Sequence, residues 1–265
     1  MHVTIVMAVY NEIESVHRAI DSLLQQTYQD WDLVIVDDCS TDGTKASLLK
    51  AYQNNQKIKV IGNAGNMGLA YSLNVGWRNS SSQIIARMDA DDVCYPERLQ
   101  KQVEFMRHHP EIDVLGTGAE LIGQDGDVQN RIFLPEKNDQ IQSGMFNVTP
   151  FFHPSVMMRR RFLEGVNGYD ESLRRGQDFE LWAKGKKYGY TYHNLQEILI
   201  RYRTKNYKKT IKNIWFGFLT DIIVAIRYKY YARGFFWSIA NLVKNLLIRF
   251  GLYEPVAIRG KKLEK

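Results

Sequence analysis

Val3–Val9 form one short, largely apolar, β-branched run. Such a run fits a strand buried on both faces. Over 12–26, Ile13, Val16, Ile20, Leu23 and Leu24 recur at helical spacing. The alternation then repeats: strand at 33–36, helix at 44–52, strand at 58–61, helix at 69–77, strand at 84–88. This β-α-β-α order predicts a parallel sheet with helical crossovers. Ligands of such sheets bind beyond the carboxyl ends of the strands.

The second half is less regular. A helix fits 97–108, with Pro96 at its first turn. Strands at 114–122 and 131–134 flank the turn Gln124-Asp125-Gly126. A short strand at 156–158, a helix at 178–187 and a strand at 198–202 close the body. There is no internal repeat and no low-complexity linker. Beyond it, 214–226 is almost wholly apolar apart from Asp221, and Arg227, Lys229 and Arg233 follow. In 235–250, Ser238, Asn241, Lys244, Asn245 and Arg249 share one helical stripe, while Phe236, Ile239, Val243, Leu247 and Phe250 lie opposite. No stretch reaches the roughly 18–20 apolar residues of a membrane span. The pattern instead predicts amphipathic helices lying in a membrane interface. The alternative is a helical pair packed on the body or on a second subunit.

Length and charge sharpen this division. The chain has 265 residues, 45% hydrophobic and 24% charged, enough for one large α/β domain and an appendage. Its boundaries are expected at 1–205 and 206–265. The net charge of +6 is uneven. Residues 201–265 hold 15 Lys/Arg against 3 Asp/Glu, a net +12; residues 1–200 hold 20 against 26, a net −6. A basic tail on an acidic body points to an anionic surface. Nucleic acid is disfavoured, because no reader motif is present and the aromatics sit among aliphatics. The opening MHVTIVMAVYN lacks a basic leader and reads as a core strand. Two cysteines, Cys39 and Cys94, are expected to be reduced in a cytoplasmic protein.

The candidate chemistry falls at the strand ends. Asp89, Asp91 and Asp92 crowd three carboxylates into four residues, a repulsion that a divalent ion would relieve. Carboxylates are hard donors suited to Mg²⁺ or Mn²⁺. Thr41 or Asp42 serves as a helix cap. Asp38 precedes the cap and is free to accept from a base N–H or a ribose hydroxyl. Asn66-x-Gly68 reads as a loop entering a helix, and Gly76 as a packing site. Asp178 is either a helix cap or a general base. His153, before Pro154, either contacts substrate or satisfies a loop.

Together VMAVYNE, VIVDDCSTDGT, NMGLAYSLNVG, ARMDADD and GQDFELW resemble the successive motifs of glycosyltransferase family 2, over residues 3–203. The resemblance implies a GT-A fold: an α/β, Rossmann-like, mostly parallel sheet with flanking helices, here followed by C-terminal amphipathic helices. It also implies a nucleotide-diphosphate sugar donor, UDP favoured, a divalent cation (Mn²⁺ or Mg²⁺), and inversion. Carried over to this sequence, Ala8, Tyr10 and Glu12 line the nucleotide, and Asp38 contacts the base. Asn66, Gly68 and Leu69 lie near base and ribose, with Arg87 before the acidic motif. Asp89 faces ribose or metal, Asp91 ligates the metal, and Asp178 is the general base. His153, Gln177 and Trp182 are the candidates for contact with donor or acceptor sugar. Two departures stand out: Gln177 replaces a frequent Glu, and Tyr202-Arg203-Thr204 stands where many relatives carry a His.

The resulting expectation is an inverting hexosyltransferase acting on a membrane-borne or lipid-linked glycan, as in surface polysaccharide assembly. It is expected in the cytoplasm, peripheral on the inner face of the cell membrane through 206–265. The competing readings are a non-catalytic nucleotide-sugar binder and a transferase with a soluble acceptor. A nucleotidyltransferase is disfavoured, because Tyr10-Asn11-Glu12 stands where a glycine-rich basic loop is needed.

Overall fold

The structure is a computed structural model. It describes residues 1–146 and 148–204, together with 219, 222–224, 226–228, 239–240, 242–243 and 246. The first half follows the predicted alternation: β1 (Val3–Val9), α1 (Val16–Leu24), β2 (Trp31–Asp37), α2 (Thr44–Tyr52), β3 (Ile58–Gly62), α3 (Leu69–Arg78) and β4 (Ile84–Arg87). β3, β2, β1 and β4 lie side by side and parallel. Residues 12–15 do not join α1. They form a turn whose amides point at the neighbouring loop: Glu12 N–H donates to Thr44 Oγ1 (3.1 Å) and Ile13 N–H to Asp42 Oδ2 (3.1 Å).

Then come β5 (Val93–Cys94), α4 (Arg98–His108), β6 (Val114–Ile122), β7 (Val128–Ile132), α5 (Asn138–Gly144), a 3₁₀ turn (His153–Ser155), β8 (Met157–Arg159), α6 (Arg160–Gly165), α7 (Gln177–Lys187) and β9 (Tyr192–Arg203). The sheet runs β3-β2-β1-β4-β8-β6-β9-β5, with β7 on β6. Its second half is mixed: β8 is antiparallel to β4 and β6, while β9 is parallel to β6. The expected mostly parallel sheet is thus β1–β4 with the long β6–β9 pairing, joined through the antiparallel β8. β9 is much longer than its expected span. Asn194, fully buried, hides it by breaking the apolar pattern; its side chain is satisfied by the carbonyls of Pro135 (2.7 Å) and Pro150 (2.9 Å).

Side chains alternate across the sheet into two cores. Ile5, Met7 and Val9 of β1 pack with α1, α2 and α4. Val6 faces the other way, toward α3, α6 and α7. Gly76 is what lets α3 close on the sheet: a Cβ there would lie 2.3 Å from Val6 Cγ1.

Most of the 206–265 segment, including all of its polar stripe, lies outside the described residues. Among the described residues no helix is long and apolar enough to cross a membrane. Residues 222–224 and 226–227 are helical, and Val224 and Tyr228 are buried in the core beneath α7.

Candidate active site

Strand register brings the chemistry to one edge. Val9 pairs with Asp37, so β1 and β2 end level; β4 ends three residues earlier, at Arg87 opposite Val6, and the chain beyond it carries Asp89 to the same edge. The chain then turns sharply twice through the left-handed region, at Asn11 (φ 55°) and Cys39 (φ 64°). Asn11 Oδ1 accepts from Thr41 N–H (2.8 Å), and Ser40 Oγ accepts from Asn11 N–H (3.0 Å). Asp42 caps its own turn, accepting from Thr44 N–H at 3.0 Å.

A cleft of about 420 Å³ opens at this edge. Ala8, Tyr10 and Glu12 form one wall, Asp89, Ala90 and Asp91 the next, and Tyr202, Arg203 and Thr204 the third. The first two walls were legible in the sequence. The third came only from the departure at Tyr202-Arg203-Thr204, and its approach depends on the long β9. Burial, with Asp89 and Asp92 nearby, pushes the Tyr202 phenol up to about 12, so it is an uncharged O–H in the cleft at neutral pH.

The three acids of the DADD stretch have separate environments. Their ligand atoms gather within 4.8 Å of one another. Arg87, 3% exposed, grips Asp89 with both terminal nitrogens, one at 2.6 Å. Burial works against that guanidinium's charge, but Asp89 and then Tyr169 more than offset it and raise its pKa. Asp92 is 1% exposed and accepts the Arg203 backbone N–H at 2.7 Å. Desolvation, then Asp89 and Asp91, push its carboxyl well above the usual range. Its Oδ2 is buried without a hydrogen-bond partner among the described residues. Asp92 thus ties the loop between β4 and β5 to the end of β9. An orphaned carboxylate oxygen beside Asp91 is the donor set a hard divalent cation takes. Asp91 and Asp92 fit direct ligation better than Asp89, whose oxygens already meet Arg87.

Asp38 is 4% exposed. Its Oδ1 accepts from Asn63 Nδ2 (2.7 Å) and Met67 N–H (2.8 Å), and its Oδ2 from Gly68 N–H (2.8 Å). It therefore organises the 63–68 loop, whatever else it contacts. Gly68 (φ 95°) gives that loop its turn into α3, where Leu69 is half-buried; Asn66 is exposed at the tip.

Asp178 sits half-buried in the first turn of α7, after left-handed Gly176 (φ 66°). It acts electrostatically on Tyr169, whose hydroxyl pairs with His153 Nε2 at 2.9 Å. Burial and then Arg87 hold His153 well below its ordinary pKa, so the ring is neutral. Gln177 is 8% exposed, and its Oε1 lacks a hydrogen-bond partner among the described residues. The structure does not bring Trp182 to the cleft. It is 1% exposed and packs against Phe151 and Phe162, with ring centroids 4.9 Å and 6.1 Å away. Tyr169, which links His153 to the region of Arg87 and Asp178, carries no mark in its local sequence pattern.

The model of the family described as "Glycosyl transferase family 2" matches residues 4–166. The chain belongs to glycosyl transferase family 2. Among curated relatives, a protein of Bacillus subtilis named as a glycosyltransferase, EpsE, is 36% identical over 204 residues, 76% of this chain and 72% of EpsE. The amylovoran biosynthesis glycosyltransferase AmsE of Erwinia amylovora is 29% identical over 203 residues, 76% of this chain and 75% of AmsE. Solved structures share the fold. S. aureus TarS in complex with UDP-GlcNAc superposes with a TM-score of 0.68 at 17% identity, over 94% of this chain and 73% of that one. The mannosyltransferase PcManGT of Pyrobaculum calidifontis, solved with GDP-Man and Mn²⁺, gives 0.65 at 16% identity, over 96% and 76%. The family 2 chain is thus a GT-A glycosyltransferase, and its strand-edge cleft is the candidate donor site.

Proposed function

We propose that the protein transfers a sugar, with inversion and with a divalent cation, from a nucleotide-diphosphate donor to a hydroxyl of a membrane-borne or lipid-linked glycan. The observation that carries this reading is the cleft at the carboxyl edge, with Asp89 and Asp91 on one wall, buried Asp92 clustered behind them, and Tyr10 and Glu12 on another wall. Ala8, Tyr10 and Glu12 line the nucleotide. The 63–68 loop, held by Asp38, flanks base and ribose with Asn66, Gly68 and Leu69. Asp91, helped by Asp92, holds Mg²⁺ or Mn²⁺; bound there, the ion supplies a Lewis acid for the diphosphate leaving group. Arg87 fixes Asp89 toward ribose or metal and adds positive charge behind the diphosphate. Asp178 takes the proton from the acceptor hydroxyl on the face opposite the leaving group, which gives a single displacement and inversion. Gln177 borders the acceptor, and His153 supports the site from behind through Tyr169.

UDP is favoured as the nucleotide, supported by the UDP-GlcNAc complex of TarS. A surface polysaccharide is the favoured product, supported by the biosynthetic role in the name of AmsE. The net +12 of residues 201–265 supports an anionic membrane as the place of work.

The test is a screen of nucleotide sugars for metal-dependent donor turnover, with the product anomer read by NMR. Turnover stops in EDTA, and Asp91→Asn and Asp178→Asn each lower kcat by roughly a hundredfold or more. Normal turnover by Asp178→Asn removes the assigned base; full activity in EDTA removes the metal. Release from membranes by salt and detergent is expected, and a protein soluble in low salt without lipid sinks the membrane reading.

A further inference from the structure

α7 carries two acids with different fates. Asp178 is half-buried at its first turn, whereas Glu180 is fully buried. At 3.6 residues per turn, two positions are separated by about 200° around the helix. Glu180 therefore points away from the face that presents Asp178. A buried carboxylate is costly unless it is paired and hydrogen-bonded. Its partners come from two places. Lys184, one turn along α7, lies 3.6 Å from Oε2. The others belong to the C-terminal segment: the Tyr228 hydroxyl donates to Oε1, and Arg227 Nη1 stands 3.6 Å from the same oxygen.

The same arginine reaches a second anchor. Arg227 Nη1 also donates to Asp170 Oδ2. Asp170 opens the loop that runs to Gly176, and its other oxygen accepts from Ser172 N–H (3.0 Å) and Ser172 Oγ (2.6 Å). One guanidinium thus clamps both ends of the stretch that delivers Asp178: its start at Asp170 and the first turn of α7 at Glu180. Val224, fully buried, seats the segment on the body, and Lys187 Nζ lies 5.5 Å from the Tyr228 ring centroid. Burial, with Glu180 beside it, holds the Tyr228 phenol above its usual range, so it remains a donor.

We propose that Arg227 and Tyr228 are positioning residues for the transfer reaction: the 222–228 segment braces the 170–176 loop and α7 from behind, setting Asp178 without covering it. The proposal rests on the reading of Asp178 as the base. It gives the basic tail a part in the chemistry apart from any surface it binds. Losing the brace leaves Glu180 buried with Lys184 as its remaining cation among the described residues, and α7 must shift or admit water to solvate it. A displacement of about 1 Å at a catalytic group lowers rate by up to roughly a hundredfold. The nucleotide walls at Tyr10, Asp38 and Asp91 stand on other elements and keep their geometry.

The experiment uses the full chain. The double variant Arg227→Ala/Tyr228→Phe, the single Arg227→Lys and Asp178→Asn are compared with the wild type for kcat on the nucleotide sugar turned over in the screen, for UDP affinity, and for deuterium exchange over 170–181. The expected result for the double variant is a fall in kcat of roughly ten- to a hundredfold, with UDP affinity held within about twofold and faster exchange in 170–181; Arg227→Lys recovers part of the rate. Unchanged kcat in a folded double variant overturns the brace. Equal losses of kcat and UDP affinity also overturn it, because they mean general damage. An active Asp178→Asn beside a slow double variant removes the base and leaves the brace, so the two failures are distinct.

Discussion

Replacing Asp38 separates its two possible parts, organiser of the nucleotide loop and direct contact to the base. Asp38→Ala removes three hydrogen bonds to a carboxylate that is 4% exposed, from Asn63 Nδ2, Met67 N–H and Gly68 N–H. Bonds to a charged acceptor contribute about 1.5–3 kcal/mol each. The sum is not reached, because Met67 is 47% exposed and its loop can open to let water satisfy the freed amides. A net loss of about 3 kcal/mol follows, roughly the worth of one to two such bonds. For a chain of this size each kcal/mol moves Tm by about 2–4 °C, so Tm falls by roughly 6–12 °C. Asp38→Asn keeps one accepting oxygen but turns an NH₂ toward an amide donor, and falls between the two. Thermal melts give the stability, and calorimetric titration with UDP gives the affinity. UDP binding is expected to weaken at least about tenfold, since Gly68 and Asn66 lose their anchor. If Asp38→Ala melts within about 2 °C of the wild type yet binds UDP poorly, the organiser account is wrong and Asp38 acts on the nucleotide alone.

Two further outcomes follow from buried rings. His153 is neutral in the fold because burial, then Arg87, depress its pKa below 6.5. Its stabilising contribution is therefore complete above the unfolded value of about 6.5 and is lost as the pH falls below it. His153→Gln, which can still bond Tyr169, is expected to lose less stability than the wild type between pH 7 and pH 5 in urea titrations; parallel pH profiles refute this. Trp182→Ala is expected to cost about 3–5 kcal/mol from the lost core packing. Trp182→Phe should lower Tm while leaving KM for the donor and acceptor within about twofold, as expected for a side chain sealed from the cleft; a selective rise in KM would return Trp182 to the sugar site.

The sequence by itself determined the elements whose pattern is local. Val3–Val9 and Leu33–Val36 fit strands buried on both faces, and the strand-helix alternation places the loops that share an edge. That alone placed Tyr10, Glu12, Asp38, Asp89 and Asp91 together. The helix expected over 12–26 spans only Val16–Leu24, because the amides of Glu12 and Ile13 leave the helical pattern to bond Thr44 and Asp42 across 29–32 residues of chain. Periodicity within one segment carries no trace of such a partner.

Tertiary structure decided what each polar group meets. Asp38, Asp89 and Asp92 look alike in sequence. In the fold one gathers a loop, one is gripped by Arg87, and one is buried against the Arg203 backbone with an orphaned oxygen. Trp182 and Gln177 share one short motif, yet α7 turns Trp182 into the core. The third wall of the cleft and the contacts of Arg227 and Tyr228 with α7 join residues far apart in the chain. Burial and pairing depend on such distant neighbours, while hydrophobic period depends only on near ones. For that reason the strand edge was legible and the division of labour along it was not.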